Sequence, residues 1–459
     1  MQADGKVFAA FGGYYLDLGT FSPSAAGRLQ DLRVGLPLKS LISSRRDIDQ
    51  QIYQLVRRLA RRGLLEYPVR RVRSKEEDVV IEPQAADYWP EAPPLDDEDT
   101  MVLSRFALLR RRGNATVLES PRAGALLRIC NPQIAAALAR LSAPQQLKRF
   151  RRREGFPGIE LLAVLLDCQM LFKVERSDKR SLRTAEGDAN LVLWDFHDLL
   201  FHTRSTEGRH ANPLGGLYPY AATTPALPAV RALWSGKKVG LDKLSAAPEA
   251  MSPFVKLLNE RHSTRSFDDQ RPISLADLAR FLQATARIRS KSQHQVDLGE
   301  AQPSVEYTTR PYPSAGGSYE LELYLAVNKC EGLDRGFYHY DADGHVLVAI
   351  DTRAPEFDAV LASAQFAMDA AAPPQILLII TARFGRVSWK YSSIAYALVL
   401  KDVGVLLQTL YLTAVDMGLG GCAIGTVNID LFAKMTGLEF HIESPVGQFA
   451  MGRPAETEY

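Results

Sequence analysis

Several stretches of this chain set out residue types that can do chemistry together. Arg261-His262-Ser263-Thr264-Arg265 places two guanidiniums four residues apart with a hydroxyl between them. That spacing grips a phosphate bidentately and aligns the polar chain attached to it. Pro313-Ser314-Ala315-Gly316 opens a small-residue loop leading into the strand predicted over Tyr319–Val327. A second glycine loop, Gly418 to Gly425 with Leu419, Gly420 and Gly421 inside it, follows a long apolar helix. Small residues make flat walls, and two flat walls imply a flat ligand. Because a helix precedes the second loop, the strand-turn-helix context of a dinucleotide fingerprint is missing. A planar ring attached to a phosphate reads as flavin mononucleotide (FMN). An isoalloxazine that accepts hydride becomes electron-rich at N1 and the C2 oxygen, so a cation is needed there and an N–H near N5. Arg265 and the backbone of Gly420 or Gly421 are expected to supply them.

Lys390-Tyr391 is the candidate for moving a proton. Adjacent residues within a helix point about 100° apart and would not share a site. Ser392 or Ser393 is expected as the N-cap of the helix that follows, which leaves the pair in a loop that can aim both side chains inward. An ammonium beside a phenol, with a helix N-terminus behind it, stabilises the phenolate. Tyr391 is then the base and Lys390 its activator, although the sequence leaves open which of the two takes the proton. The alternative is a structural pair, Tyr in the core and Lys at the surface.

At these residues the chain resembles the nitroreductase-like flavoproteins. Within them it is similar to the azoline-oxidising dehydrogenases of ribosomal peptide biosynthesis, the SagB-type and cyanobactin thiazoline oxidase group. The likeness runs from about Trp194 to the C-terminus. Four stretches agree in order: Arg261-Ser263-Arg265, Arg310 to Gly316, Trp389-Lys390-Tyr391, and Gly418 to Gly425 with Gly452-Arg453-Pro454 behind it. The resemblance implies an α+β fold, with a C-terminal FMN domain of mixed sheet and surrounding helices. It also implies FMN at a homodimer interface, bound by the residues named above and Arg453. The activity it implies is oxidation of thiazoline or oxazoline rings to thiazole or oxazole in a ribosomally made precursor peptide, with molecular oxygen as electron acceptor. Two alternatives stand beside it: an NAD(P)H-dependent nitro or quinone reductase, and a flavin-free scaffold that binds a leader peptide.

The chain has 459 residues, 46% of them hydrophobic, enough for large cores in two to four domains. A net charge of +2 speaks against a nucleic-acid binder. Cys130, Cys168, Cys330 and Cys422 form no metal-ligand spacing, and His197, His202 and His210 share no helical face, so no metal is expected. The N-terminal residues lack a basic-then-apolar segment, which fits a cytoplasmic protein. The apolar stretch Ile394–Val415 is broken by Lys401, Asp402, Gln408 and Thr409, which argues against a membrane span.

Residues 1–85 read as a winged-helix-like module. Its pieces are a strand over Phe8–Leu18, helices over Leu36–Ser44 and Asp47–Arg62, and a strand over Leu64–Val69. Residues 86–99 are a Pro- and acid-rich linker, and 100–185 read as a second copy, with strands over Met101–Leu109, Ala115–Glu119 and Leu171–Glu175 around helices Pro132–Leu141 and Gly158–Leu171. Residues 190–459 hold the flavin domain. There, helices are expected over Asp195–Arg209, up to about Arg261, and over Ser274–Thr285 with Ser274 as N-cap. Further strands lie over Leu321–Val327 and Gln375–Thr381, a hairpin turns at Asp341–Gly344, Asn212–Pro228 is an irregular connector, and Ser290–Ser304 is a loop. The helix Ile394–Met417, apolar on nearly every face, is expected to be buried all round. Arginine clusters at 57–62, 70–73, 110–112 and 149–153 are weighed between a solvated face and leader-peptide recognition.

Overall fold

In a computed structural model the chain divides into two compact units, residues 1–212 and 213–459. The structure describes all residues except 1–5, 12–13, 29–30, 62, 71–75, 86, 155–157, 175–185, 187, 207–217, 219–220, 242–251, 298, 300–301 and 456–459.

The first unit opens with an antiparallel hairpin, β1 (Lys6–Phe11) and β2 (Tyr14–Thr20), where one strand over Phe8–Leu18 was expected. The pair Gly12-Gly13 between them is turn sequence, which the apolar alternation around it masks. Short helices α1 (Pro23–Gly27), α2 (Asp31–Val34) and α3 (Leu38–Ser43) lead to α4 (Asp47–Ala60), which buries Ile52, Leu55, Val56 and Ala60 at helical spacing. After β3 (Tyr67–Val69) and β4 (Val79–Pro83), the expected strand over Met101–Leu109 is two strands, β5 (Thr100–Leu103) and β6 (Leu108–Arg112). The chain breaks between them because the Ala107 N–H turns back to the Ser104 carbonyl and Phe106 is driven fully into the core. β6 pairs with β7 (Ala115–Glu119), which with β8 (Ala125–Ile129), β4 and β3 completes a five-stranded sheet. β5 instead pairs with β9 (Gln145–Gln146) and β10 (Leu171–Lys173). Helices α5 (Pro132–Ala139), α6 (Leu147–Glu154), α7 (Ile159–Asp167) and α8 (Phe196–Arg204) complete this unit. His202 is fully buried and stacks on Trp194 with centroids 5.8 Å apart, whereas His210 lies outside the described residues. Several of the clustered arginines are engaged within the unit. Arg57 pairs with Asp87 at 3.2 Å and lies over the Trp89 ring, and Arg110 and Arg112 pair with Glu119 and Glu82.

The second unit begins its regular structure with α9 (Pro253–Glu260) and α10 (Leu275–Thr285), the latter capped as expected by Ser274, whose Oγ accepts the Asp277 N–H at 3.1 Å. Within residues 290–304, expected as a loop, Ser290–Gln295 is a strand, β11, which pairs with β12 (Ser304–Thr309). Both faces of β11 meet solvent, so no apolar alternation marks it. Six strands then build the main sheet around β13 (Leu321–Val327), with β14 (Gly336–Asp341), β15 (Val346–Ile350) and, after helix α11 (Ala354–Met368), β16 (Ile376–Arg383). The chain continues through α12 (Gly385–Ser388) and α13 (Ala395–Asp416), then β17 (Gly420–Ile424), α14 (Ile429–Thr436) and β18 (Glu443–Gly452). The order is β15-β14-β13-β16-β18-β17. Every pairing in it is antiparallel, which corrects the mixed sheet implied by the resemblance, while the α+β architecture stands. β16 and β17, joined through the long helix α13, run parallel, but β18 lies between them, so no parallel neighbours arise. Leu325, Val327, Ile376, Leu377, Leu378 and Ile380 are wholly buried, the continuous apolar run of strands covered on both faces.

Gln375, fully buried just before β16, ties the Arg261–Arg265 region to this sheet. Its Nε2 donates to the Asp268 carbonyl at 2.7 Å, and its Oε1 accepts the N–H of Ile273 and of Arg453, each at 3.0 Å. Replacing Gln375 by Leu leaves the N–H groups of Ile273 and Arg453 without a partner and leaves the Asp268 carbonyl only the Arg271 N–H. The expected loss is roughly 3 kcal/mol or more of unfolding free energy in a denaturant titration.

Candidate active site

Among the buried side chains of helix α13 are Asp402 and, nine residues later, Tyr411. At ~1.5 Å per residue they stand ~13 Å apart along the axis. Each gathers one group of the expected site residues.

At Asp402, Oδ2 accepts the Ala315 N–H at 2.8 Å and lies 2.9 Å from Ser314 Oγ. Ser314 Oγ in turn accepts the Tyr319 N–H at 2.9 Å and lies 3.2 Å from Glu320 Oε2. This fixes the turn Ser314–Ser318 in a tight shape, with Gly316 at φ +57 and Gly317 at φ +68. Lys390 and Tyr391 come together over Gly316, as their placement ahead of the helix predicts. A Cβ on Gly316 would lie 2.7 Å from Lys390 Nζ and would collide with the Tyr391 hydroxyl. Lys390 Nζ donates to the Gly316 carbonyl at 3.2 Å and sits 5.4 Å from the centre of the Tyr391 ring. Pro313, Gly316 and Lys390 are exposed and Tyr391 is half-buried, so the pair faces an accessible surface. Neither expected serine caps α13. The N-cap is Ile394, without a side-chain bond, because Ser393 is held in the left-handed region at φ +62. Tyr307 on β12 walls the same place, its ring 3.5 Å from where a Gly317 Cβ would stand and 5.8 Å from Lys390 Nζ.

At the other end, Tyr411 Oη accepts the Ala423 N–H at 2.7 Å and lies 2.8 Å from Ser263 Oγ, while the Arg261 guanidinium sits over its ring at 5.2 Å. The glycine loop expected at Gly418–Gly425 is for the most part the edge strand β17. Its glycines answer close packing. A Cβ on Gly421 would collide with Phe449, and one on Gly420 would lie 2.6 Å from Thr264. The Thr264 N–H donates to the Gly421 carbonyl at 2.8 Å, which lays the arginine segment along this edge. In an antiparallel strand one residue turns its N–H and C=O to the same side. Gly421 therefore presents its N–H outward, where Gly420 faces Gly452 on β18. Leu419 and Cys422 are buried, the latter's thiol pushed up by burial and drawn back down by the Arg265 charge. Arg265 and His262 are exposed, and His262 Nδ1 lies 2.9 Å from the Glu260 carbonyl. Among the described residues no carboxylate pairs with Arg261 or Arg265. Arg453 differs, since its guanidinium meets Asp277 at 3.1 Å. Two unneutralised guanidiniums beside an outward backbone N–H form the donor set that a phosphate-bearing flavin requires, so the residues fit FMN. The sequence reading missed Asp402, Tyr411, Gln375, Glu320 and Tyr307. Asp402 had left one trace, an acid interrupting an apolar helix.

Comparison with known proteins places these features. Residues 101–211 match the model described as cyanobactin oxidase ThcOx, and residues 258–453 match the nitroreductase family. Residues 258–453 are thus similar to the nitroreductase family, with a segment similar to the cyanobactin oxidase model ahead of them. A curated protein of Methanocaldococcus jannaschii described as a nitroreductase is 34% identical over 113 residues, 25% of this chain and 56% of that protein. The chain therefore spans about half the length of that relative. Among solved structures, the Escherichia coli microcin synthetase McbBCD complex with truncated pro-MccB17 bound is 18% identical, covering 61% of this chain and 100% of that one, with a TM-score of 0.41. A nitroreductase of Ralstonia eutropha is 22% identical, covering 50% and 98%, with a TM-score of 0.33.

Gly316→Ala inserts a methyl group between Lys390 and Tyr391 at a backbone angle that disfavours it. The expected cost is about 1–3 kcal/mol of stability, with an altered tyrosine signal in near-ultraviolet circular dichroism.

Proposed function

We propose that the protein oxidises thiazoline or oxazoline rings of a ribosomally made precursor peptide to thiazole or oxazole, with FMN as cofactor. The observation that carries this reading is the convergence of Lys390 and Tyr391 over Gly316, one long helix away from two unpaired guanidiniums. The match of residues 101–211 to the cyanobactin oxidase model supports the azoline branch. Aromatising an azoline removes a proton from one ring carbon and a hydride from its neighbour. Tyr391 takes the proton as its phenolate and becomes a phenol, and the ammonium of Lys390, anchored on the Gly316 carbonyl, favours that phenolate before the transfer. Arg261 and Arg265 hold the phosphate, the outward Gly421 N–H donates to the flavin's polar edge, and Tyr307 closes the side against water. FMN supplies the hydride acceptor, with molecular oxygen as the final electron acceptor. The edge strand β3 of the first unit is where a leader peptide would add by backbone pairing.

The working form is a homodimer in this reading. Helix α13 is not buried all round within one chain. Ile394, Ala397, Lys401, Gly404 and Gln408 are exposed along one stripe, and nothing lies within 4 Å of where a Gly404 Cβ would be. By length and composition alone this helix could cross a membrane, yet its other face packs on α10, β17 and β18. Helix α9 also turns Phe254, Val255 and Leu258 outward. A second copy covers these faces.

The purified protein is expected to be yellow, and mass spectrometry of a thiazoline-bearing peptide should show loss of two hydrogens per ring. Tyr391→Phe should slow this by ~10²-fold or more with FMN still bound. A parental rate in that variant, or consumption of NADH with a nitroaromatic in place of azole formation, would overturn the assignment. Gly404→Arg is expected to convert a sedimenting dimer to monomer and to weaken FMN retention.

A further inference from the structure

Beneath the turn that carries Gly316 lies a carboxyl group for which the reaction has no use. Glu320 is wholly buried at the entrance to β13, and its Oε1 meets no hydrogen-bond partner. Its Oε2 touches Ser314 Oγ, which also touches Asp402 Oδ2 and accepts the Tyr319 N–H. A hydroxyl has one proton to give and two lone pairs to receive. With the Tyr319 N–H on one lone pair and a carboxyl oxygen at each remaining position, Ser314 donates to one acid and must receive a proton from the other. Asp402 Oδ2 already accepts the Ala315 N–H and so acts as acceptor. Glu320 is left as the donor.

We propose that Glu320 is a positioning residue that holds its proton in mildly acidic solution and gives it up near neutrality, its O–H donating to Ser314 and so locking the 314–318 turn beneath Lys390 and Tyr391. Loss of that proton sets two carboxylates against one hydroxyl and unlocks the turn. Its relevance to catalysis rests on the azoline-oxidase reading, whereas the proton and the lock do not. The ionisable groups packed around this segment include Asp402 on α13, Tyr312 and Arg310 ahead of the turn, Glu322 on β13, Arg383 at the end of β16, Arg386 on α12, and Lys390 and Tyr391 over Gly316. Of these, Arg386 Nε donates to the Ser318 carbonyl at 2.9 Å and the Arg383 N–H to the Glu320 carbonyl at 3.0 Å. Burial first, and the nearby Asp402 charge after it, push the Glu320 carboxyl up from 4.5 to about 7, against the opposing pull of its own backbone N–H and of Ser314. An acid raised in the folded state adds stability below its unfolded value and loses it as pH rises through the folded one. The window is therefore 4.5 to about 7.

The test joins two readouts on the full-length protein. Infrared difference spectra across a pH titration should show the carbonyl stretch of a neutral carboxylic acid disappearing near neutrality in the parent and missing from Glu320→Gln. The hydrogen-exchange protection factors of the Ala315 and Tyr319 amides should fall, and the dissociation constant for added FMN should rise, by about tenfold in the parent between about pH 6 and about pH 8.5. In Glu320→Gln, whose amide donates at every pH, the same quantities should stay within about twofold. Absence of the neutral-acid band at about pH 6 in the parent overturns the proposal. So does a Glu320→Gln variant that keeps the parental alkaline loss. If the variant fails to fold, the parental spectrum still decides. Failure of FMN to bind at all would refute the azoline-oxidase reading while the infrared and exchange results stand by themselves.

Discussion

A carboxylate placed inside an apolar helix must be given donors, and the donors that Asp402 finds shape the site. They are the Ala315 amide and the Ser314 hydroxyl, so the turn ahead of β13 is folded onto the helix. Nine residues on, the Tyr411 hydroxyl meets the same demand by joining Ala423 on β17 to Ser263. One rigid rod thereby sets the distance between the Lys390–Tyr391 corner and the arginine segment. Neither group needs a flexible loop to find the other. Each is pinned by a polar atom that the apolar surroundings leave no other way to satisfy.

The same economy explains why the two clusters rest on such small residues. Gly316 is bare because Lys390 and Tyr391 occupy the space a side chain would take, and Gly420 is bare because Thr264 does. The glycines of this site are thus mainly records of what lies against them. Their reading as flat walls holds at the turn, where backbone faces the accessible side, and gives way at β17, where the flatness serves packing inside the domain.

Much of this architecture could be read from residue order alone, and the misses share a cause. Strand Leu321–Val327 and the Ser274 cap were readable because burial on both faces leaves the apolar run Leu323–Val327 and because a cap is a local event. Adjacent Lys390 and Tyr391 were readable as a pair ahead of a helix. β17 was not, since paired glycines argue against a strand and only Phe449, far along the chain, makes them necessary. β11 escaped because both its faces meet water. Gln375 and Glu320 could not be singled out, as their partners lie in segments that only the tertiary fold assembles. The helix α13 was read as uniformly apolar, but its Gly404 stripe shows that composition does not say which side is covered.

The contact of Gly421 with Phe449 has a consequence for how this sheet can change over time. The ring fills the hollow that hydrogen leaves, so the two positions are halves of a single volume. A lineage cannot gain bulk on one without first shedding it from the other, and a smaller residue at 449 would open a void before any gain at 421 could refill it. These sites should drift only as a couple, through intermediates that are poorer folders than either end, which makes the edge that receives Thr264 among the slowest parts of the molecule to evolve.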